Sequence, residues 1–217
     1  MKIIKPSVKF ITPLNGVAVI SRLEECGRVC YKSEGNITED SAVKFLKGII
    51  DSGHESVIEH CGFTVKFICD RGVSHEIVRH RLASYSQEST RYCNYSKDKF
   101  GSEITVIEPC FLEPGTKAYD RWKEACNDAE DAYFDLLEWG CTPQEARAVL
   151  PNSLKTELVM TANVREWRHF LRLRCSKAAH PQMREVATLV LREFYKKLPV
   201  LFDDIYIEFL AKGWGDE

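Results

Sequence analysis

The sequence has no long apolar run. No stretch approaches the roughly 18 residues a membrane-spanning helix needs, and the opening Met1-Lys2-Ile3-Ile4-Lys5-Pro6 has no signal-peptide core. A cytoplasmic protein with no membrane partner is therefore expected. Charge excess is missing too: 30 Lys+Arg against 32 Asp+Glu give a formal charge of −2. That argues against a broad nucleic-acid-binding surface and leaves room only for a local basic site. The nine cysteines are an odd number without a C-x-x-C pair, so neither a disulfide framework nor a zinc knuckle is indicated. Most are expected as small buried apolar residues. Cys26 and Cys30, four apart on an expected helix, could pair or ligate, with packing the favoured reading because no histidine is near. Metal-binding spacing is absent as well. His54 and His60 are six apart where a His-Glu-x-x-His helix needs four, His75-Glu76 with His80 misses by one residue, and no His-Asp dipeptide occurs. No metal is expected. With no repeat, low-complexity stretch or linker, residues 1–217 read as a single domain.

What is present is concentrated in Arg79-His80-Arg81-Leu82-Ala83-Ser84-Tyr85-Ser86-Gln87-Glu88-Ser89-Thr90-Arg91-Tyr92, where three arginines, a histidine and three serines fall within fourteen residues. The preceding run, from Gly72 to Ala83, places Val73, Ile77, Val78 and Leu82 at helical spacing. A helix there sends Arg79 and Arg81 in different directions, toward two binding groups or two subunits. Serine and threonine from Ser84 to Thr90 compete for backbone hydrogen bonds and do not prolong it. If Ser89-Thr90-Arg91 is extended, the Ser89 hydroxyl and the Arg91 guanidinium lie on one side, an arrangement suited to a phosphate.

Around this stretch, Ser7–Thr12 alternates like a strand ending at Pro13, and Ala18–Tyr31 has helical spacing. Thr38 is expected to cap a helix from Glu39 to Asp51 with Ala42, Val43, Phe45, Leu46, Ile49 and Ile50 inward, stopped by Gly53. Phe63–Cys69 is the clearest strand, and Ile104–Ile107 a second. A long helix from about Thr116 to Trp139 carries Tyr119, Trp122, Cys126, Ala129, Tyr133, Leu136 and Leu137 as a buried stripe, with Gly140 ending it. Thr142-Pro143 starts another helix carrying Gln144 to Pro151. Arg147, among small and apolar neighbours, needs an anionic partner if it is buried. Leu154–Ala162 fits strand or helix and is taken as a strand. From Asn163 to Arg174, helical spacing puts Asn163 and Arg174 on one face and Arg165 and His169 on another. A further helix begins at His180-Pro181, and Pro199–Leu210 is apolar enough to pack across a neighbour. Gathering Arg79, Arg81, Arg91, Arg147, Arg165 and Arg174 is costly without anions, so phosphorylated ligands are expected, and more than one.

Arg-His-Arg, seven residues, then Ser89-Thr90-Arg91-Tyr92 resembles the signature of the flavin-dependent thymidylate synthases, the ThyX family. The Ala146-Arg147-x-x-Leu150-Pro151 match, Asn163-x-Arg165-x-x-x-His169 and the later Leu173-Arg174 fall in the same order, so the resemblance spans roughly residues 40 to 190. It implies an α/β (α+β) single domain with a central, mostly antiparallel sheet flanked by helices, and it supports the strand at Leu154–Ala162. It implies reductive methylation of dUMP to dTMP, with 5,10-methylenetetrahydrofolate as carbon donor and FADH2, regenerated by NADPH, as reductant. The matching dUMP residues are Glu76, Arg79, Gln87, Glu88, Ser89, Thr90, Arg91, Arg147 and Arg174, with Arg174 the catalytic residue. Those for FAD are Ser56, Arg79, His80, Arg81, Gln87, Asn163, Val164, Arg165 and His169, with His54 two residues before Ser56. A homotetramer with active sites built between subunits is also implied. The chain departs from the family pattern at Glu76, commonly Gln, and at Ser86-Gln87, often Asn-Glu. The competing classes are a non-enzymatic nucleotide- or RNA-binding module and a metal-dependent nucleotide phosphohydrolase.

Overall fold

Caps and left-handed residues set most element ends. In the computed structural model, which describes residues 1–95 and 101–211, the chain begins with β1 (Lys2–Ile4) and β2 (Ser7–Phe10). Next comes α1 (Gly16–Tyr31), whose N-cap Asn15 accepts the Ala18 N–H. α2 (Ser41–Asp51) follows and ends ahead of Gly53, whose φ of 70° suits glycine. Thr38 does not cap it. The Ser41 hydroxyl takes the local bonds instead, accepting the Thr38 N–H at 2.9 Å and donating to the Thr38 carbonyl at 3.1 Å. Ala42, Leu46 and Ile49 are buried as expected, whereas Val43 is exposed.

A 3-10 turn at Glu55–His60 leads into β3 (Gly62–Asp70) and then α3 (Arg71–Ile77), where Asp70 caps by accepting the Val73 N–H at 2.8 Å. α3 stops at Ile77, short of the helix expected to Ala83. β4 (Ala83–Gln87) begins where that helix would finish, and the Tyr85 hydroxyl donates to the Ile77 carbonyl at 2.9 Å. Strand pairing outweighs helical periodicity here, and Val78 and Leu82 lie exposed. Ser89–Tyr92 is likewise a turn and not extended: the Tyr92 and Cys93 N–H groups donate to the Ser89 carbonyl, and the Arg91 N–H to the Ser89 hydroxyl at 3.3 Å.

β5 (Thr105–Ile107) pairs in parallel with β1, Ile3 opposite Val106. α4 (Lys117–Glu138) starts at the N-cap Thr116, and Gly140 follows its end at φ 93°. α5 (Pro143–Ala146) opens on a capping box in which Glu145 accepts the Thr142 N–H at 2.8 Å. It is a single turn continued by a 3-10 turn at Arg147–Val149, shorter than the expected helix because Leu150 turns extended ahead of Pro151. β6 (Lys155–Asn163) buries Thr156, Leu158, Met160 and Ala162 in strict alternation. α6 (Val164–Arg174), α7 (Pro181–Lys197) and α8 (Pro199–Phe209) complete the chain. The main sheet runs β2-β3-β6-β4, antiparallel and flanked by helices, which is the architecture the resemblance implied.

The described residues group into two compact units. One comprises 1–7, 67–79, 85–95 and 101–159, with a core around Ile104, Val106, Cys126, Tyr133 and Leu154. The other comprises 8–66, 80–84 and 160–211. Its core contains Phe63, Trp167, Phe170, Phe194 and Phe202; Trp167 donates to the Phe63 carbonyl at 3.1 Å, and Phe194 stacks on Phe202. Within this second unit Gly27 lets α1 approach α2, since an added Cβ would lie 2.6 Å from the Phe45 ring and 2.9 Å from Val57. Gly27→Ala should therefore destabilise by roughly 1–3 kcal/mol through overpacking. An unchanged thermal midpoint would show that Phe45 swings aside without cost.

Candidate functional site

In the second unit the site grows from the junction of β6 and α6. Asn163 ends the strand and caps the helix, its Oδ1 accepting the Glu166 N–H at 2.9 Å. Asn163 therefore sits at the N-cap, directly ahead of the helix. One turn in, the Glu166 carboxylate meets His80 Nδ1 at 3.2 Å, and Arg174 Nε donates to His80 Nε2 at 3.0 Å. His80 and Glu166 are both buried. A guanidinium only donates, so Nε2 carries no proton and Nδ1–H donates to Glu166. His80 is thus the neutral Nδ1–H tautomer between an anion and a cation. Burial lowers its pKa below the usual histidine value; the Glu166 hydrogen bond pulls it up, while Arg174 and His169 push it down.

Glu166 lines a groove of about 750 Å³ together with Asn163, Arg165, His169, Arg172 and Leu82. Arg165 and His169 both reach it, as their four-residue spacing anticipated. Arg165 is paired with Glu59 at 2.6 Å and approaches Glu55 at 3.6 Å. Ser56 and Arg81 are exposed, and Val164 is buried with its N–H on the Cys61 carbonyl at 2.9 Å. His80, Glu166 and His169 place ligand atoms within 4.8 Å of one another, a spacing that would admit a metal ion. Both nitrogens of His80 are already engaged, however, and the Arg174 cation adjoins it, so hydrogen bonding accounts better for the cluster. On the far side of α6, Arg168 is fully buried and grips Asp204 of α8 with two bonds, at 2.9 and 2.6 Å. A further groove of about 730 Å³ between α1 and α2 is lined by Arg28, Lys44, Phe45, Tyr31 and His54, and Tyr31 Oη lies 2.7 Å from His54 Nδ1.

The first unit holds most of the nucleotide candidates. Thr90 is buried, and its hydroxyl accepts from Arg147 Nη1 at 3.2 Å, joining residues 57 apart in sequence. Arg79 and Arg91 are exposed, and Glu76 is half-buried on α3. Gln87 Nε2 donates to Ser74 Oγ at 2.9 Å and Thr156 Oγ1 at 3.3 Å, while Glu88 accepts Lys155 Nζ at 2.9 Å. Those two side chains thus also stitch β4 to its neighbours. Arg71 Nη1 is buried with no hydrogen-bond partner among the described residues, a donor available to an anion. Sequence reasoning missed Arg71 and Glu166. Arg71 follows a strand with no spacing signal, and Glu166 has the pattern of an ordinary acidic residue in a first helical turn.

The family model described as thymidylate synthase complementing protein matches residues 20–200. A Pyrococcus furiosus protein named flavin-dependent thymidylate synthase is 33% identical over 186 residues, covering 85% of this chain and 75% of the relative. A Geobacter sulfurreducens protein of that name is 35% identical, covering 82% and 78%. A Mycolicibacterium vanbaalenii one is 33% identical, covering 96% and 87%.

Proposed function

The chain belongs to the thymidylate synthase complementing protein family, and from that premise we propose that it is a flavin-dependent thymidylate synthase forming dTMP from dUMP. The observation that carries this reading is the Glu166–His80–Arg174 chain, whose Glu166 end lines the flavin-sized groove. The matched residues run through both compact units, which supports a single functional domain.

The residues of the second unit fit a flavin nucleotide. Asn163, Arg165 and His169 line one groove of suitable volume, with the exposed apolar Leu82 beside them. They would hold FAD with Ser56, Arg79, His80, Arg81, Gln87 and the Val164 backbone. When bound, the flavin supplies the two-electron reduction, NADPH being the reductant that restores it and 5,10-methylenetetrahydrofolate the carbon donor. A diphosphate would have to compete with Glu55 and Glu59 for Arg165, or replace them as its partner.

On the dUMP side, Arg79, Ser89, Arg91 and Arg147 hold the nucleotide, with Glu76, Gln87, Glu88, Thr90 and backbone N–H groups around Gln87 to Thr90 completing the binding set. The unpartnered Nη1 of Arg71 and the Arg147–Thr90 bond support an anion site in the first unit. C5 of uracil must become nucleophilic, and charge then builds on N3 and O4. Arg174 stabilises that charge, an effect worth roughly 10²–10³ in rate for one fixed donor. Leu82, Tyr92 and Leu173 are large apolar side chains exposed beside Arg81, Arg91 and Arg174, which supports an assembly of several copies around the site, a homotetramer. A cytoplasmic location is supported by nine free cysteines, and no helix among the described residues is long and apolar enough to cross a membrane.

The test is the visible absorption spectrum of the purified protein, before and after adding FAD and then NADPH with dUMP. A flavin band that bleaches with NADPH is the expected result. A protein that neither retains nor acquires flavin would return the arginines to the binding-module reading.

A further inference from the structure

We propose that Glu166 is a positioning residue for Arg174, acting through the Nδ1–H of His80. The three side chains form one line in the second unit: carboxylate, imidazole, guanidinium, at 3.2 and 3.0 Å. Each link constrains the next. The carboxylate can only accept, so it holds the imidazole proton on Nδ1; Nε2 then remains an acceptor, the one state in which it can receive Arg174 Nε–H. Without Glu166 the proton is free to sit on Nε2, where it points at a guanidinium that has only donors. The bond to Arg174 is then lost, and with it the restraint on the plane of the guanidinium.

Burial strengthens the argument. Isolated carboxylates and imidazoles are rarely taken out of water without a partner, and here each is the partner of the other. Phe170 packs its ring against His80 at 4.9 Å between centroids, so the imidazole cannot swing to another acceptor without opening the core. The charged and titratable groups of α6 that face His80 are Glu166, His169 and Arg174. Its own segment adds Arg79 and Arg81 as sequence neighbours. The sign of the pH effect follows. His80 is neutral at neutral pH because burial lowers its pKa, and Glu166 is the group raising it. Protonation at Nε2 in acid replaces the acceptor with a donor and releases Arg174. Removing the carboxylate charge should therefore move that acid limb to lower pH.

This inference rests on Arg174 acting on dUMP, and the experiment separates the two. Nitrogen NMR of histidine-labelled, FAD-loaded protein, with the His80 signal identified by its loss in His80→Gln, reports the tautomer without any turnover. The expected result is Nδ1–H in the parent protein, a shift toward Nε2–H in Glu166→Leu, and retention of Nδ1–H in Glu166→Gln, whose amide oxygen still accepts. With the tautomer, kcat should fall roughly 10- to 100-fold in Glu166→Leu, the scale seen for residues that orient a functional ligand from behind. Glu166→Gln should recover most of that loss, with the acid limb of its pH–rate profile displaced downward. A purely structural Glu166 would lower stability in both variants with no change of tautomer and no movement of the limb. That result overturns the proposal, as does an Nε2–H tautomer in the parent protein. If Glu166→Leu does not fold, the limb and tautomer in Glu166→Gln decide alone. Arg174→Ala with normal turnover would defeat the role given to Arg174, while the tautomer data would still report on the Glu166–His80 link.

Discussion

Arg174→Ala should reduce dTMP formation by roughly 10²- to 10³-fold while the protein still binds flavin. The size follows from the role proposed for Arg174, a charge-bearing donor for developing negative charge in a site where water is a poor substitute. Arg174 is only half-buried and comes from the last turn of α6, so its loss leaves no large cavity, and Glu166 keeps its bond to His80. Flavin retention is expected because Asn163, Arg165 and His169 line their groove without it. Single-turnover methyl transfer with pre-reduced flavin isolates the step. Loss of flavin with normal dTMP formation after reconstitution would remove Arg174 from the chemistry. Arg174→Lys should recover little, because a lysine ammonium is a point charge and cannot reproduce the planar fork held through Nε.

The largest effect on stability is expected from Asp204→Ala. Arg168 has no exposed surface, and its charge is neutralised chiefly by the two Asp204 oxygens, with the Leu201 carbonyl also accepting and Glu55 at 3.5 Å. Removing one partner of a buried pair leaves the other desolvated and uncompensated, at a cost of about 3–5 kcal/mol. The Asp204 side chain is 38% exposed, so water can reach the vacated position, and about 2–4 kcal/mol is the appropriate range. In a chain of this length that lowers the thermal midpoint by roughly 5 to 15 °C. Burial pushes the Asp204 carboxyl up, but the Arg168 hydrogen bond, followed by the Arg168 and Arg172 charges, holds it below its usual value. The folded pKa therefore lies below the unfolded one. The contribution of the pair is present above about pH 4 and is lost as pH falls through the folded pKa. Asp204→Ala should accordingly lose its deficit relative to the parent in strong acid. An unchanged midpoint at neutral pH would mean that Glu55 and the Leu201 carbonyl suffice to compensate Arg168.

Because Asp204 joins α8 to α6, the same variant should loosen the helix that carries Arg165, His169 and Arg174. The arginines of α6 consequently have different partners. Arg168 and Arg172 tie down α8 through Asp204, Arg172 also lining the groove; Arg165 lines the groove and Arg174 reaches His80. The position of α8 decides which of them meet Asp204.

Local chemistry by itself determined a good part of this protein. Of the stripe expected on α4, Cys126 and Tyr133 are buried; the Thr142-Pro143 start, the stops at Gly53 and Gly140 and the alternation of β6 depend on residues a few positions apart, and the chain folds accordingly. The same holds for the signature between Arg79 and Tyr92, whose residue types and register mark the family without any coordinates. Tertiary structure decided what periodicity could not. It ended α3 at Ile77, because pairing of β4 in the sheet outweighs a helical pattern that Val78 and Leu82 would have continued in water. It folded Ser89–Tyr92 into a turn, brought Arg147 to Thr90, and chose Glu166 as the partner of His80, 86 residues away. Hydrogen-bond partners so distant along the chain leave no trace in local spacing. Their pairing is enforced by burial, which makes an unmatched donor or acceptor expensive wherever the fold happens to place it.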